Sequence, residues 1–84
     1  MKYIVVATTI ADEQLARIWL MAPDRQSVSN ASDHIGSLLR HDAHLVGRLH
    51  PSGWRVVAEP PIVVSFTVNE SDRMVKILSG SYRP

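Results

Sequence analysis

The side chains able to do chemistry in this 84-residue chain are few and lie mostly in its second half. Arg55, Lys76 and Arg83 could hold a phosphate, the arginines in bidentate fashion. His50 or His44 could supply a base near neutral pH. Tyr82 could serve as an acid or as a stacking face for a nucleobase. Proton transfer at a phosphate ester needs a base, a cation for the charge that develops and an acid for the leaving oxygen. The same residues could equally be solvated arginines at a sheet edge, loop histidines and a chain end.

Other chemistries have less to stand on. The chain has no cysteine, which removes disulfides, zinc–thiolate sites, iron–sulfur clusters and cysteine nucleophiles together. His41 and His44 have a ligand-like spacing, but they sit in a loop-like stretch without a His-Glu-x-x-His pattern, so no metal is expected. No glycine-rich phosphate cradle is present, and no cofactor is expected. Ser65 and the serines at 27, 29, 32 and 37 belong to no recognisable nucleophile pattern. Trp19 and Trp54 fall on apolar positions of a helix and a strand, so both are expected in the core.

The elements that must carry these residues form one domain, residues 1–84, because two would each be too small to bury a core. Hydrophobic residues make up 45% and charged residues 20%, too apolar for disorder and ordinary for a globular chain. No apolar run approaches the roughly 20 residues of a membrane span. The short apolar start has no cleavage motif behind it, so a cytoplasmic location is expected. The formal net charge is only +1, and the positive excess lies in residues 40–84, mainly as arginine.

A β-branched run at 2–7 reads as the first strand. Thr9 is the expected N-cap of a helix over 10–22, whose apolar positions are Ile10, Leu15, Ile18, Trp19 and Ala22. Pro23 stops it. Asp24 or Ser27 can cap a second helix, with Val28, Ala31, Ile35, Leu38 and Leu39 as its buried stripe through about Arg40. Residues 41–52 read as loop, punctuated by Gly47 and Pro51-Ser52-Gly53. The period then changes to two. Strands are expected at 54–59, 62–68 and 73–79, joined by Pro60-Pro61 and by a four-residue hairpin loop at 69–72.

The expected fold is therefore α+β: a strand, an αα-hairpin, then a three-stranded antiparallel meander, in one sheet with both helices on one face. Pairing Val56 with Val64, Phe66 with Val75 and Ser65 with Lys76 puts Trp54, Val56, Val64, Phe66, Val68, Val75 and Ile77 on the helix side. The open side would then carry Arg55, Ser65, Thr67 and Lys76, with Val57, Val63, Met74 and Leu78 between them. A one-residue slip exchanges the two faces.

Several stretches match a known family in order along nearly the whole chain. They are Tyr3-Ile4-Val5-Val6, Ala16-Arg17-Ile18-Trp19-Leu20, Leu38-Leu39-Arg40-His41-Asp42, Gly53-Trp54-Arg55-Val56-Val57, Pro60-Pro61-Ile62-Val63-Val64-Ser65-Phe66 and Asp72-Arg73-Met74-Val75-Lys76-Ile77-Leu78. The set resembles the RelE/ParE superfamily of type II toxin–antitoxin toxins. The resemblance implies a small growth-inhibiting toxin of the plasmid-stabilisation type, neutralised by a cognate antitoxin. RelE-like members cut messenger RNA on the ribosome with basic side chains on the sheet, one near the start of the third strand and one after the last. ParE-like members share the fold and bind DNA gyrase.

Here the third-strand arginine position falls on Val63, while Arg83 follows the last strand. An alternative alignment that sets Gly53-Trp54-Arg55 on that motif would restore the arginine. The first alignment leaves the ribonuclease set incomplete and favours gyrase as target. The expected target-binding surface is Arg55, Ser65, Thr67, Lys76 and Arg83. Were the protein a ribonuclease, Arg55, Arg83, Tyr82 and His50 would be catalytic. A third reading is a degenerate, non-toxic partner of an antitoxin.

Overall fold

The computed structural model describes residues 2–84. Strand β1 (Ile4–Ala7) leads into helix α1 (Thr9–Met21) and helix α2 (Arg25–Asp42). A 3-10 turn (Ala43–Leu45) follows, then β2 (Arg48–Leu49), β3 (Arg55–Glu59), β4 (Ile62–Asn69) and β5 (Met74–Tyr82). The five strands form one sheet in the order β1-β5-β4-β3-β2, with β1 parallel to β5 and the other pairs antiparallel.

The expected α+β layout holds, and each helix starts for a local reason. Thr8, one residue earlier than expected, caps α1 by accepting the Ala11 N–H. Its hydroxyl also donates to the Leu78 carbonyl, which fastens the helix start to β5. Asp24 caps α2 through the Ser27 N–H and hydroxyl. Those two Ser27 bonds, the hydroxyl first, hold the Asp24 carboxyl below the usual aspartate range.

Helix α2 buries Val28, Ala31, Ile35 and Leu39, the stripe its spacing requires. These pack on Val57, Ile62, Val64, Phe66 and Val75 of the sheet. Helix α1 lies over β5, where Gly80 leaves room for Leu15. A Cβ at Gly80 would stand 2.5 Å from a Leu15 methyl.

Trp19 departs from expectation. It is 41% exposed rather than buried, with its indole N–H on Ser29 Oγ and the Arg25 guanidinium 4.9 Å from its ring centre. Ile10, also expected in the apolar stripe, is exposed as well. Helix α1 covers the sheet by one narrow edge, so only Ala11 is fully buried and Leu15 and Ile18 are partly so.

The larger correction is register. Glu59 pairs with Ile62 across a two-residue Pro60-Pro61 turn, so Val57, not Val56, stands opposite Val64. That one-residue slip reverses the faces of β3. Between β4 and β5 the pairing differs by two residues, with Phe66 opposite Ile77 and Thr67 opposite Lys76, so the faces there are as expected. A bulge at Ser65/Phe66 then brings Ser65 opposite Ser79. Beyond it the pairing continues to Ile62↔Tyr82, so β5 runs three residues past its expected end at 79.

Residues 41–52 are not all loop. Gly47, at φ +75°, turns the chain into β2, and β2 pairs with β3. The β2–β3 connection is a hairpin in which Gly53 N–H donates to the His50 carbonyl and His50 N–H to the Trp54 carbonyl. Gly53, at φ +98°, supplies the left-handed residue that such a short loop needs.

Two outcomes test this description. At Gly47 a Cβ would meet the Val56 carbonyl oxygen at 2.3 Å, whereas nothing lies within 4 Å of one at Gly53. Gly47→Ala is expected to cost about 2 kcal/mol or more in denaturant unfolding, from a left-handed backbone and a backbone clash together, and Gly53→Ala about 1 kcal/mol. The Asp24 cap is linked to acid stability. Its contribution is present above the ordinary value of 3.8 and is lost as pH falls through the lowered folded value. The Tm difference between the protein and Asp24→Ala should therefore shrink below pH 3.8.

Candidate functional site

The helices cover one face of the sheet and leave the other open. The slip in β3 decides what that open face presents. Trp54, Val56, Val63, Ser65, Leu78, Ser79 and Ser81 line a groove of about 440 Å3 across β3, β4 and β5. Arg48, opposite Val56, borders a neighbouring depression with Val56 and Ala58. Thr67 and Lys76 pair with each other, and Lys76 also pairs with Val6 on β1.

Trp54 is half-buried in this face, and the hairpin turn folds His50 onto it. The two rings stack at 3.9 Å between centres and 8° between planes. His50 Nδ1 accepts the Ser52 N–H at 3.0 Å, so the neutral ring carries its proton on Nε2. Ser65 and Ser79 hydrogen-bond to each other through their hydroxyls on the groove floor. The groove is thus walled by apolar and aromatic surface and floored by small hydroxyls, with cations only outside it.

The expected site residues are divided by this arrangement. Ser65, Thr67 and Lys76 belong to the open face, and Val63 lines it as expected. Arg55 does not belong there. It pairs with Phe66 and turns toward the helix side, where its guanidinium reaches the Val46 carbonyl at 3.4 Å. The expected faces of Trp54, Val56 and Val57 are corrected with it, because the two-residue turn fixes the parity of the whole strand.

Tyr82 also departs from the open face. It borders a cleft against α1 with Arg17, Ile18, Met21, Ala22 and Pro23. Arg83 is exposed beside the Pro60-Pro61 turn, its N–H on the Pro61 carbonyl at 2.6 Å. Arg55 stands opposite Phe66 and Tyr82 opposite Ile62, four residues apart along β4. By strand rise that is about 13 Å. Arg55, Arg83, Tyr82 and His50 are therefore not gathered around one point.

His41 and His44 do not converge either. His41 hydrogen-bonds the Ser37 carbonyl, while His44 Nδ1 meets the Tyr3 hydroxyl at 3.0 Å.

Two features escaped the sequence reading. Arg48 became a face residue only through the two-residue strand β2, whose one advance sign was the Pro51-Ser52-Gly53 turn behind it. The second is a polar cluster at the far end of the sheet. There the Tyr3 hydroxyl contacts His44, Glu70 at 3.0 and 3.1 Å, and Arg73 at 3.2 Å. No local motif joins residues so far apart in sequence.

No family model matches the sequence, and no curated protein matches it either. Among solved structures, the chain is similar to one from the toxin–antitoxin complex RelBE2 of Mycobacterium tuberculosis. The TM-score is 0.82 at 16% identity, over 99% of this chain and 100% of that one. It is also similar to a chain of the chromosomal ParDE TA system from P. aeruginosa, with a TM-score of 0.71 at 18% identity, over 99% and 98% of the two chains. With two helices on one face of a five-stranded mixed sheet, matched end to end, this chain has the RelE/ParE fold.

Proposed function

We propose that the protein is the toxin of a type II toxin–antitoxin pair. It acts by docking the open face of its sheet on a large cellular target, DNA gyrase, and is neutralised by a cognate antitoxin. The observation that carries this reading is the composition of that face. It offers a shallow groove with an aromatic plane at Trp54, hydroxyls at Ser65, Ser79 and Ser81, and flanking cations at Arg48 and Lys76. An aromatic anchor beside arginine is the composition of a protein-binding hot spot.

Phosphodiester cleavage would need a base, a cation and an acid within hydrogen-bond reach of one substrate. Arg55 and Tyr82 lie toward the helix side, which leaves His50, stacked on Trp54, beside the groove wall. The similarity to chains of two toxin–antitoxin assemblies supports the toxin reading. Among the described residues no helix is long and apolar enough to cross a membrane.

One observation favours a second reading, ribosome-dependent cleavage of messenger RNA. The His50–Trp54 stack is a platform on which a nucleobase could lie, with Arg48 on the same face for phosphate.

Inducing the protein without a partner separates the two. For the gyrase reading, purified protein inhibits supercoiling, and messenger RNA ends are unchanged in arrested cells. Trp54→Ala combined with Arg48→Ala should weaken inhibition about 30-fold or more, the scale of a lost hot-spot residue. Arg55→Ala should leave it within about twofold, as befits a side chain facing away from the target. New messenger ends together with undisturbed supercoiling would overturn the gyrase reading in favour of the nuclease. Absence of growth arrest, supercoiling inhibition and cleavage would leave only an antitoxin-binding partner.

A further inference from the structure

Helix α1 turns one stripe of side chains toward the sheet and another away from it. Ile10, Glu13, Arg17 and Leu20 recur three and four residues apart, so they form one row on the solvent side of the helix. All four are exposed, Ile10 by 63% and Leu20 by 60%. Leu20 runs on into Met21, which is 78% exposed and borders the cleft of about 240 Å3 that also holds Arg17 and Tyr82. Neither Glu13 nor Arg17 is in an ion pair among the described residues, although their spacing and order would allow one within the helix.

The row reads apolar, acidic, basic, apolar, which is its own complement in reverse. We propose that this row is the seam of a twofold dimer, in which the α1 helices of two copies of the chain pack antiparallel through Ile10, Glu13, Arg17 and Leu20. A match centred on Leu15 sets Ile10 opposite Leu20 of the second copy and Glu13 opposite its Arg17, and the twofold axis repeats both contacts. Ile10 then also lies at the mouth of the second copy's cleft, beside Met21. Ala16, exposed and small, adds no bulk beside the axis.

Charge sets the orientation. The acids of α1, Asp12 and Glu13, lie in its N-terminal half and Arg17 in its C-terminal half, with the Arg25 guanidinium on the Leu20 carbonyl at 3.1 Å. Parallel copies would bring like charges together. Antiparallel copies bring unlike charges together, and their helix dipoles oppose as well. A stripe that carries its own complement needs no partner of another sequence. The helix has 13 residues and is about 20 Å long, so the interface stands at the small end for specific association and the dimer is weak. Helix α1 covers the face of the sheet opposite the groove, so both open faces stay uncovered and the pairing is independent of the proposed target.

Sedimentation equilibrium of the whole protein, from about 1 μM to about 1 mM, tests this. A reversible monomer–dimer equilibrium is expected, and added salt should weaken it because both ion pairs are open to solvent. Glu13→Arg sets arginine against arginine at both contacts, and Arg17→Glu sets glutamate against glutamate. Each variant alone should therefore dimerise about tenfold or more weakly. An equimolar mixture of the two should form a one-to-one heterodimer with about the affinity of the unmodified protein, because every arginine then meets a glutamate across the axis. Mixing cannot restore a pair confined within one helix, nor rescue a variant that fails to fold. Leu20→Ala should weaken the dimer about tenfold or more, since the twofold axis removes the side chain from both ends. A monomer at every concentration would overturn the proposal and leave the row to a different partner. A dimer indifferent to the single reversals, or a mixture that stays monomeric, would overturn it too. No target enters the measurement, so its failure is distinct from failure of the toxin reading.

Discussion

The pairing of Glu59 with Ile62 across Pro60-Pro61 decides which half of β3 meets solvent. Side chains alternate along a strand, so a turn of two residues and a turn of three produce opposite surfaces from the same sequence. With two, Val57 enters the core beside Val64 and Phe66, and Trp54 and Val56 come out beside Ser65. The core gains a valine either way. What changes is the open face, which exchanges Arg55 for Trp54 and so loses a guanidinium and gains an indole.

The rest of the open face follows from that choice. Trp54, once outward, receives His50 from the hairpin turn, and β2 must pair with β3 to bring His50 there. The same pairing sets Arg48 opposite Val56, so a cation returns to the face one strand farther out. The bulge near Ser65 offsets β5 and brings Ser79 beside Ser65, where one hydroxyl donates to the other. Hydroxyls already hydrogen-bonded to each other on a groove floor add less desolvation cost than isolated ones when a partner covers them.

Much of the helical layer was legible in the sequence because its signals are local. The α2 stripe needs only 3.6-residue spacing, and Asp24 followed by Ser27 spells out its cap. In α1 the same periodicity misled at Trp19 and Ile10, since spacing defines a face and not how much of it a sheet edge can cover. The strands of the meander were legible and their faces on β4 and β5 survived a two-residue error in pairing, which preserves parity. In β3 the difference from the expected pairing is odd, so Arg55 faces the helix side and not the open one. Strand β2, at two residues, is too short for any periodicity, and Arg48 went unseen with it. The Tyr3 cluster joins residues 41 and 67 positions apart, and no window of sequence holds that information.

Electrostatics separates a binding face from a cutting one. Stabilising a pentavalent phosphate requires charges aimed in advance at one point a few ångströms wide. Here the cations of the face stand on strands β2 and β5, with β3 and β4 between them. Neighbouring strands lie about 4.8 Å apart, so that interval is about 14 Å across the sheet. Charges so spaced suit the docking proposed above, in which each acts on a different part of a large partner. Between them lies apolar and aromatic surface, which gains from being covered in proportion to its area. Wide charge spacing around an apolar centre is the physical basis of the docking proposal, and the turn at Pro60-Pro61 leaves that centre free of a guanidinium by turning Arg55 away.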